Sequence, residues 1–390
     1  MSSGKMTTPL RMMIQEWWSG SPHWIAVRAG VFLAISFPPI DLPFMLFLGW
    51  LDLQVLLFST NPRIAQKRRL WVFLACLIWN ALTTYWLMMA TLGGGLAAII
   101  ANSGLMTLTL LVARAVVHAV ERSVSDKSWV QIGCWIRPLV WIPLWLGFEF
   151  GHHQWDLAWP WLTLANAWSS WPWAIQWVEF TGYLGASAWF LIVAAWGYEA
   201  WVRPIQETHV QDHEGSLGEG AGYYIARVLP GLALVGLPLA LSFWIDMNRN
   251  VEWKAVAAGP TQDVLIVQPN RDSYESYGGF DSVSELIDST ATLTSQAVSQ
   301  RLRKPANATD SINSTDPVIL WPENTLDGAL DLKSYEALQM RSYAIQWQAH
   351  VLTGVGWIDY DETLENQRHP ALLRRAPSNR TYDVYNAAWH

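Results

Sequence analysis

The stretch Asp316-Pro317-Val318-Ile319-Leu320-Trp321-Pro322-Glu323-Asn324-Thr325-Leu326 decides how the second part of this 390-residue chain folds. Residues 318–321 are apolar throughout and rich in β-formers, which predicts a short buried strand. Pro322 has no N–H to add to a ladder, so the strand ends there. Glu323 then stands just past a strand's carboxyl end, where α/β folds gather catalytic groups. The plainer reading of Glu323 is an acidic residue that opens the next turn or helix.

Working outward, Val264-Leu265-Ile266-Val267-Gln268 is a second short apolar run, closed by Pro269-Asn270. It predicts a fully buried strand. Val283, Leu286, Ile287, Leu293, Ala297, Val298 and Leu302 recur at helical spacing and predict an amphipathic helix over 282–303. The polar loop 304–315 follows. Its two Asn-x-Thr sequences, at Asn307 and Asn313, would matter only in a secreted eukaryotic protein. Beyond the opening strand the pattern predicts a helix over 332–349, a strand over 351–357 and a further strand, Thr381–Trp389. Strands alternating with helices predict an α/β or α+β domain with buried strands.

The preceding 246 residues read differently. Hydrophobic residues make up 52% of the chain and charged residues 15%, against about 25% charged in a typical soluble protein. The 27 tryptophans suit a membrane interface, where the ring is apolar and the N–H stays wet. Mean hydropathy is only slightly positive, so the composition predicts a membrane region over 1–246 and a soluble domain over 247–390. Acids and bases balance up to residue 250, and the net charge of −7 resides wholly beyond it. That acidity favours neither nucleic acid nor anionic lipid as a partner. The two cysteines, Cys76 and Cys134, both precede the soluble domain and indicate no disulfide framework. Lys5 and Arg11 are not followed by the apolar core and small-residue site of a cleaved signal peptide.

About seven apolar spans are expected, over 24–37, 43–58, 70–89, 96–117, 138–150, 174–196 and 228–245. Basic residues fall in the N-terminal tail and in alternate loops: Lys5 and Arg11, then Arg63, Lys67, Arg68 and Arg69, then Arg122, Lys127 and Arg137, then Arg203 and Arg227. The intervening loops have none. The bias of basic residues toward the cytoplasmic side places the N-terminus there and the soluble domain on the far side, the periplasm of a Gram-negative cell. Arg28, in the first span, could snorkel inward. Glu149 and Glu179 lie within spans. Each either pairs with a hydroxyl, an amide or Arg114 in the bundle, or lines a lipid or substrate path. The loop 151–173 carries six tryptophans and no basic charge, as a segment lying in the outer interface would. His152, His153 and Asp156 sit in it, but adjacent histidines point apart and no further ligand cluster is evident, so no metal site is expected.

Several short motifs recur in an order that resembles one family. They are Phe37-Pro38-Pro39, Glu149 with Trp159-Pro160-Trp161 beyond it, Phe180-Thr181-Gly182, the strand ending at Asn270, Leu320-Trp321-Pro322-Glu323, Leu352-Thr353-Gly354 and Tyr385-Asn386-Ala387. Together they resemble the apolipoprotein N-acyltransferases, and the Trp-Pro-Glu step is the most diagnostic. The resemblance implies a polytopic helical bundle in the bacterial inner membrane, carrying a periplasmic αββα sandwich of the nitrilase (carbon–nitrogen hydrolase) superfamily. It also implies a reaction. A cysteine thiolate takes an acyl chain from a phospholipid as a thioester, a glutamate acts as general base, and a lysine supports the oxyanion. The chain is then passed to the α-amino group of the lipid-modified N-terminal cysteine of an apolipoprotein. No cofactor or metal is implied.

Of the three catalytic groups only the glutamate carries over, onto Glu323. The family's lysine and cysteine come after the Tyr-Asn-Ala step. No cysteine follows Cys134, and Lys254, Lys304 and Lys333 all precede that step. The family's closing transmembrane helix has no counterpart either. The expectation is therefore the first half of the sandwich and no acyl transfer by the chain as written. A half-sandwich would expose a large apolar face, which favours a fragment of a longer protein over a short, catalytically dead relative. Two other readings remain: a membrane-bound amidase of the same superfamily, and a polytopic membrane binding protein with a non-catalytic domain.

Overall fold

The computed structural model describes residues 17–18, 20–123, 133–155, 157–204, 221–257, 264–271, 275, 279–303, 317–322, 326–329, 334–359, 374–375 and 381–389. The chain divides into two compact units, Met1–Glu252 and Trp253–His390.

The first unit is helical. Its main helices are α1 (Pro22–Ile35), α2 (Met45–Phe58), α3 (Arg68–Thr84), α4 (Leu92–Ser123), α5 (Gly133–His152), α6 (Val178–Gly197) and α7 (Ala221–Ala257). Each of the seven apolar runs falls on one of them. Among the described residues, three helical stretches, Leu92–Ser123, Val178–Val202 and Arg227–Arg249, are long and apolar enough to cross a membrane, whereas α1 and α2 are shorter apolar helices.

Close packing and aromatic contacts hold these helices together. α1 packs on α2 and α3, α4 on α3 and α5, and α6 on α2 and α5. Gly30 allows the close approach of α1 to α3, since a Cβ there would lie 2.7 Å from the Ala75 carbonyl oxygen. Trp50 of α2 stacks on Trp141 of α5 at 5.5 Å and meets Trp145 edge-on at 4.8 Å, and Trp145 stacks on Trp79 of α3 at 6.4 Å. Such pairs contribute about 0.5–1.5 kcal/mol beyond the area they bury.

Charged groups inside the unit are matched. Arg28 does not snorkel. It forms a two-pronged pair with the buried Asp52 of α2, both contacts at 2.7 Å, and lies over the Trp17 ring. Trp18 Nε1 donates to the same carboxylate. The carboxyl end of α2 is closed by two arginines: Arg68 donates to the carbonyls of Leu56 and Ser59, and Arg114 to that of Leu57. Arg114 is thus a helix cap, and Glu149 and Glu179 find other partners.

In the second unit, β1 (Val264–Ile266), α8 (Val283–Arg303), β2 (Val318–Leu320), β3 (Leu326–Ala329), α9 (Tyr335–Trp347), β4 (His350–Asp359), β5 (Arg374–Arg375) and β6 (Thr381–Trp389) follow in order. The sheet runs β1-β2-β4-β6-β5, with β3 also paired to β4. β1, β2 and β4 are parallel, registering Ile266 with Leu320 and Leu320 with Leu352. β6 is antiparallel to β4, from Thr353↔Trp389 to Asp359↔Asp383. Crossing between parallel neighbours requires a long connection, and α8 supplies it from β1 to β2. The core joins Val267, Ile319, Trp321 and Val355 of the sheet region to Ile287, Ala291, Ala337, Met340 and Trp347 of α8 and α9.

The expectation of a fully buried first strand needs correction. Val264 is 52% and Ile266 72% exposed, while Leu265 packs against the core. Side chains alternate across a strand, and the core formed with α8 and α9 takes only Leu265 from β1. The Asn-x-Thr sequences at Asn307 and Asn313 lie outside the described residues.

Candidate functional site

Two parallel strands, β1 and β2, end side by side, each at a proline that cannot continue the ladder, while their neighbour β4 runs on to Asp359. β2 is extended one step by Trp321 N, which donates to the Leu352 carbonyl at 2.9 Å, and Val267 N donates likewise to the Leu320 carbonyl. Pro322 then ends the pairing on its strand, and Pro269 does so after β1. Asn270 follows with φ 52°, in the left-handed region that Asn tolerates. Within β4, just past its pairing with β2, Thr353 is buried and its hydroxyl reaches toward the Pro322 carbonyl at 3.5 Å.

Side chains from α8 and α9 hold these strand ends in place. Trp321 is 5% exposed. Its indole N–H donates to Thr294 Oγ1 of α8 at 3.1 Å, and the neighbouring Trp347 N–H donates to Ser295 Oγ at 3.0 Å. The two indoles meet edge-on at 6.1 Å, and Tyr343 stacks on Trp347. Two buried indoles on consecutive helix hydroxyls fix the last residue of β2 relative to α8, because an unpaired buried N–H would cost about 1–3 kcal/mol. Arg271, which sequence reading did not single out, turns back after Asn270. It donates to Ser289 Oγ, Thr290 Oγ1 and the Leu286 carbonyl of α8, and covers the Phe280 ring at 4.6 Å. Burial lowers its guanidinium from the ordinary arginine value. Nothing but its position after Pro269-Asn270 signals it in the sequence.

Glu323 itself lies outside the described residues. The described residues before it end at Pro322, one residue short of it and at the carboxyl ends of β1 and β2.

The other polar residues noted in the sequence lie in the first unit. Glu149 is 4% exposed. Its Oε1 accepts from Trp145 Nε1 at 3.0 Å and from the Leu164 backbone N–H at 3.1 Å, which ties the segment after α5 to that helix. Glu179 pairs with Arg249 of α7. His152 has both ring nitrogens engaged, Nε2 with Asn102 Oδ1 and Nδ1 accepting from Trp155 Nε1. Asn102 in turn donates to Asn80 Oδ1 at 2.6 Å. His153 bonds Thr163 and stacks on Tyr183. The two histidines therefore serve different contacts, and Asp156 lies outside the described residues. Among the described residues no three His, Cys, Asp or Glu side chains gather as a metal would require.

Residues 29–196, from α1 to the end of α6, match the family model of the apolipoprotein N-acyltransferase N-terminal domain. The chain is also 23% identical over 376 residues to the apolipoprotein N-acyltransferase of Chlorobaculum tepidum. That similarity covers 94% of this chain, hence both units, and the chain spans about 60% of the relative's length. Residues 29–196 are accordingly similar to an apolipoprotein N-acyltransferase N-terminal domain, and the chain along nearly its whole length resembles a protein of that name.

Proposed function

We propose that this chain carries the membrane bundle and the first part of the catalytic domain of an apolipoprotein N-acyltransferase. The observation that carries the proposal is the family match over α1 to α6, joined in one chain to a parallel sheet whose second strand ends at Trp321-Pro322 and leads into Glu323. On this reading α1 to α7 are seven spans of the bacterial inner membrane. The N-terminus is cytoplasmic and the second unit is periplasmic, so the basic loops face the cytoplasm. The second unit is the first half of a nitrilase-like sandwich. The exposed Val264 and Ile266 on β1 support a further layer on that face.

The substrates of this reaction are a phospholipid acyl donor and the lipid-modified N-terminus of an apolipoprotein, both anchored in the membrane. A catalytic unit attached to a helical bundle meets both without extracting either. Glu323 serves as general base, first to a thiol that attacks the acyl ester and then to the incoming amine. The thiol is absent from residues 135–390, so the 390 residues alone form no thioester and transfer no acyl chain.

The test separates recognition from catalysis. The purified chain in nanodiscs is given a fluorescent peptide with a diacylglyceryl N-terminal cysteine and, separately, the same peptide without lipid. The lipidated peptide is expected to bind at least about tenfold more tightly in nanodiscs than the lipid adds for empty nanodiscs, a difference of ~1.4 kcal/mol, with no acylated product. Equal retention by empty and loaded nanodiscs would refute the proposed substrate. Acyl transfer by the 390 residues would refute the role assigned to the missing thiol.

A further inference from the structure

A file of buried polar side chains crosses three helices of the first unit. Trp155 Nε1 donates to His152 Nδ1 at 2.9 Å, and His152 Nε2 meets Asn102 Oδ1 of α4 at 2.9 Å. Asn102 Nδ2 donates to Asn80 Oδ1 of α3 at 2.6 Å, and Asn80 Nδ2 to the Cys76 carbonyl at 2.9 Å. Asn80, Asn102 and His152 are all buried. The two ends of the file have fixed roles, because an indole N–H only donates and a backbone carbonyl only accepts. Every donor between them therefore points from Trp155 toward Cys76. His152 is neutral in this arrangement, with its proton on Nε2.

An imidazolium cannot keep the whole file. Its second proton sits on Nδ1, so two N–H groups meet where one hydrogen bond was, and Trp155 has to leave. The inner part survives, because Nε2 still donates to Asn102. Trp155 is 43% exposed, so its indole can turn out to solvent. Its backbone begins the next turn: the Trp155 carbonyl accepts from Ala158 N at 3.1 Å, and the His152 carbonyl from Trp159 N at 3.3 Å. The path into residues 159–168 thus starts at the residue that the imidazole holds. Phe148 stacks on the ring, and α3 and α4 bring the file only the amides Asn80 and Asn102. Among the described residues the titratable group that acts on His152 is His153. The bond of His153 to Thr163 holds in either charge state, since a hydroxyl both donates and accepts.

We propose that His152 and Trp155 form a pH-sensitive latch on the segment that follows α5, closed while the imidazole is neutral and released in acid. The geometry of the latch does not depend on the acyl-transfer reading. The proposed topology puts this segment on the periplasmic side, so the pH that works the latch is the external one.

The experiment follows hydrogen–deuterium exchange of the Ala158 and Trp159 amides in the full chain in nanodiscs at pH ~7.5 and ~5.5, within the range where histidine titrates. Each rate is referred to the intrinsic rate at the same pH. The wild type is expected to lose about tenfold in protection between the two, because the released ring titrates near the ordinary histidine value of ~6.5 and the latched ring takes no second proton. His152→Gln offers an acceptor to Trp155 and a donor to Asn102 with no charge to gain, and is expected to stay protected at both. Trp155→Phe removes the N–H and is expected to leave both amides weakly protected at either pH. Unchanged wild-type protection, or the wild-type pH dependence in His152→Gln, would overturn the latch. Where His152→Gln does not fold, the wild-type pH dependence in Trp155→Phe overturns it as well. Binding of the lipidated peptide is measured separately, so the loss of this inference leaves the proposed function standing.

Discussion

Removing the Asp52 carboxylate would leave Arg28 charged, four-fifths buried, and held only by the Trp17 carbonyl and ring. Breaking a buried pair from one side typically costs about 3–5 kcal/mol. Asp52→Ala is therefore expected to destabilise the helical unit by ~3 kcal/mol, the lower end because Arg28 keeps some solvent. Asp52→Asn should cost less, since it still offers an acceptor to Trp18. Thermal unfolding of the two variants in the same detergent checks the order. At this scale the sequence was partly legible. Arg28 stood out as a charge in an apolar run, but its partner lies 24 residues away, and nothing local joins them. Arg114 shows the same limit. It lies in the right stretch to meet a glutamate, and folding gives it the carboxyl end of α2 instead.

Elements were easier to read than contacts. The helical periodicity over 282–303 and the apolar runs at 264–268 and 318–321 each gave an element within a residue or two of its bounds, because local pattern and tertiary burial agree there. β3 and β5 were not legible. Leu326-Asp327-Gly328-Ala329 has no strand pattern, and it pairs only because β4 offers a free edge beyond β2. α6 contains a break at Gly182, with φ 67° and ψ −180°, a backbone region open essentially to glycine alone. Its surroundings leave room for a Cβ, so glycine is there for conformation and not for space. The pairing of α8 with α9 yields a pH dependence. Tyr343 Oη donates to Asp288 at 2.7 Å, and Gln339 donates to the same carboxylate. The hydrogen bond to Asp288, followed by burial, raises the Tyr343 phenol above its ordinary value. A raised folded-state value means that the contribution is complete below pH ~10, the unfolded value, and is lost as pH rises through the higher folded value. Urea unfolding of the second unit should show a loss of stability above pH 10 that Tyr343→Phe removes, while the variant starts slightly less stable at pH 7.

At the scale of the whole molecule, the chain divides into a helical unit and a sheet unit near residue 252, and its composition and charge shift at about residue 246. The proposed membrane topology makes a direct prediction. With Cys76 and Cys134 replaced by alanine, single cysteines are placed at Lys67, Lys127 and Ser289. In intact cells, a membrane-impermeant maleimide should label the Ser289 position and spare the other two until the membrane is opened. Labelling of the Lys67 position from outside would overturn that orientation.

The sequence by itself determined the two-part architecture, the helices under the seven apolar runs, most of the strands, and the resemblance that the family match supports. Those features arise from composition, periodicity and short motifs, all of them local. Only the tertiary structure decided which charges meet, that Leu265 but not Val264 or Ile266 joins the core, and that Trp321 is locked by a helix hydroxyl 27 residues earlier. It also placed Arg249 beside Glu179, 70 residues apart. Each of those outcomes depends on packing between segments distant in the chain, and a buried or interfacial charge takes the partner that folding brings within hydrogen-bond reach.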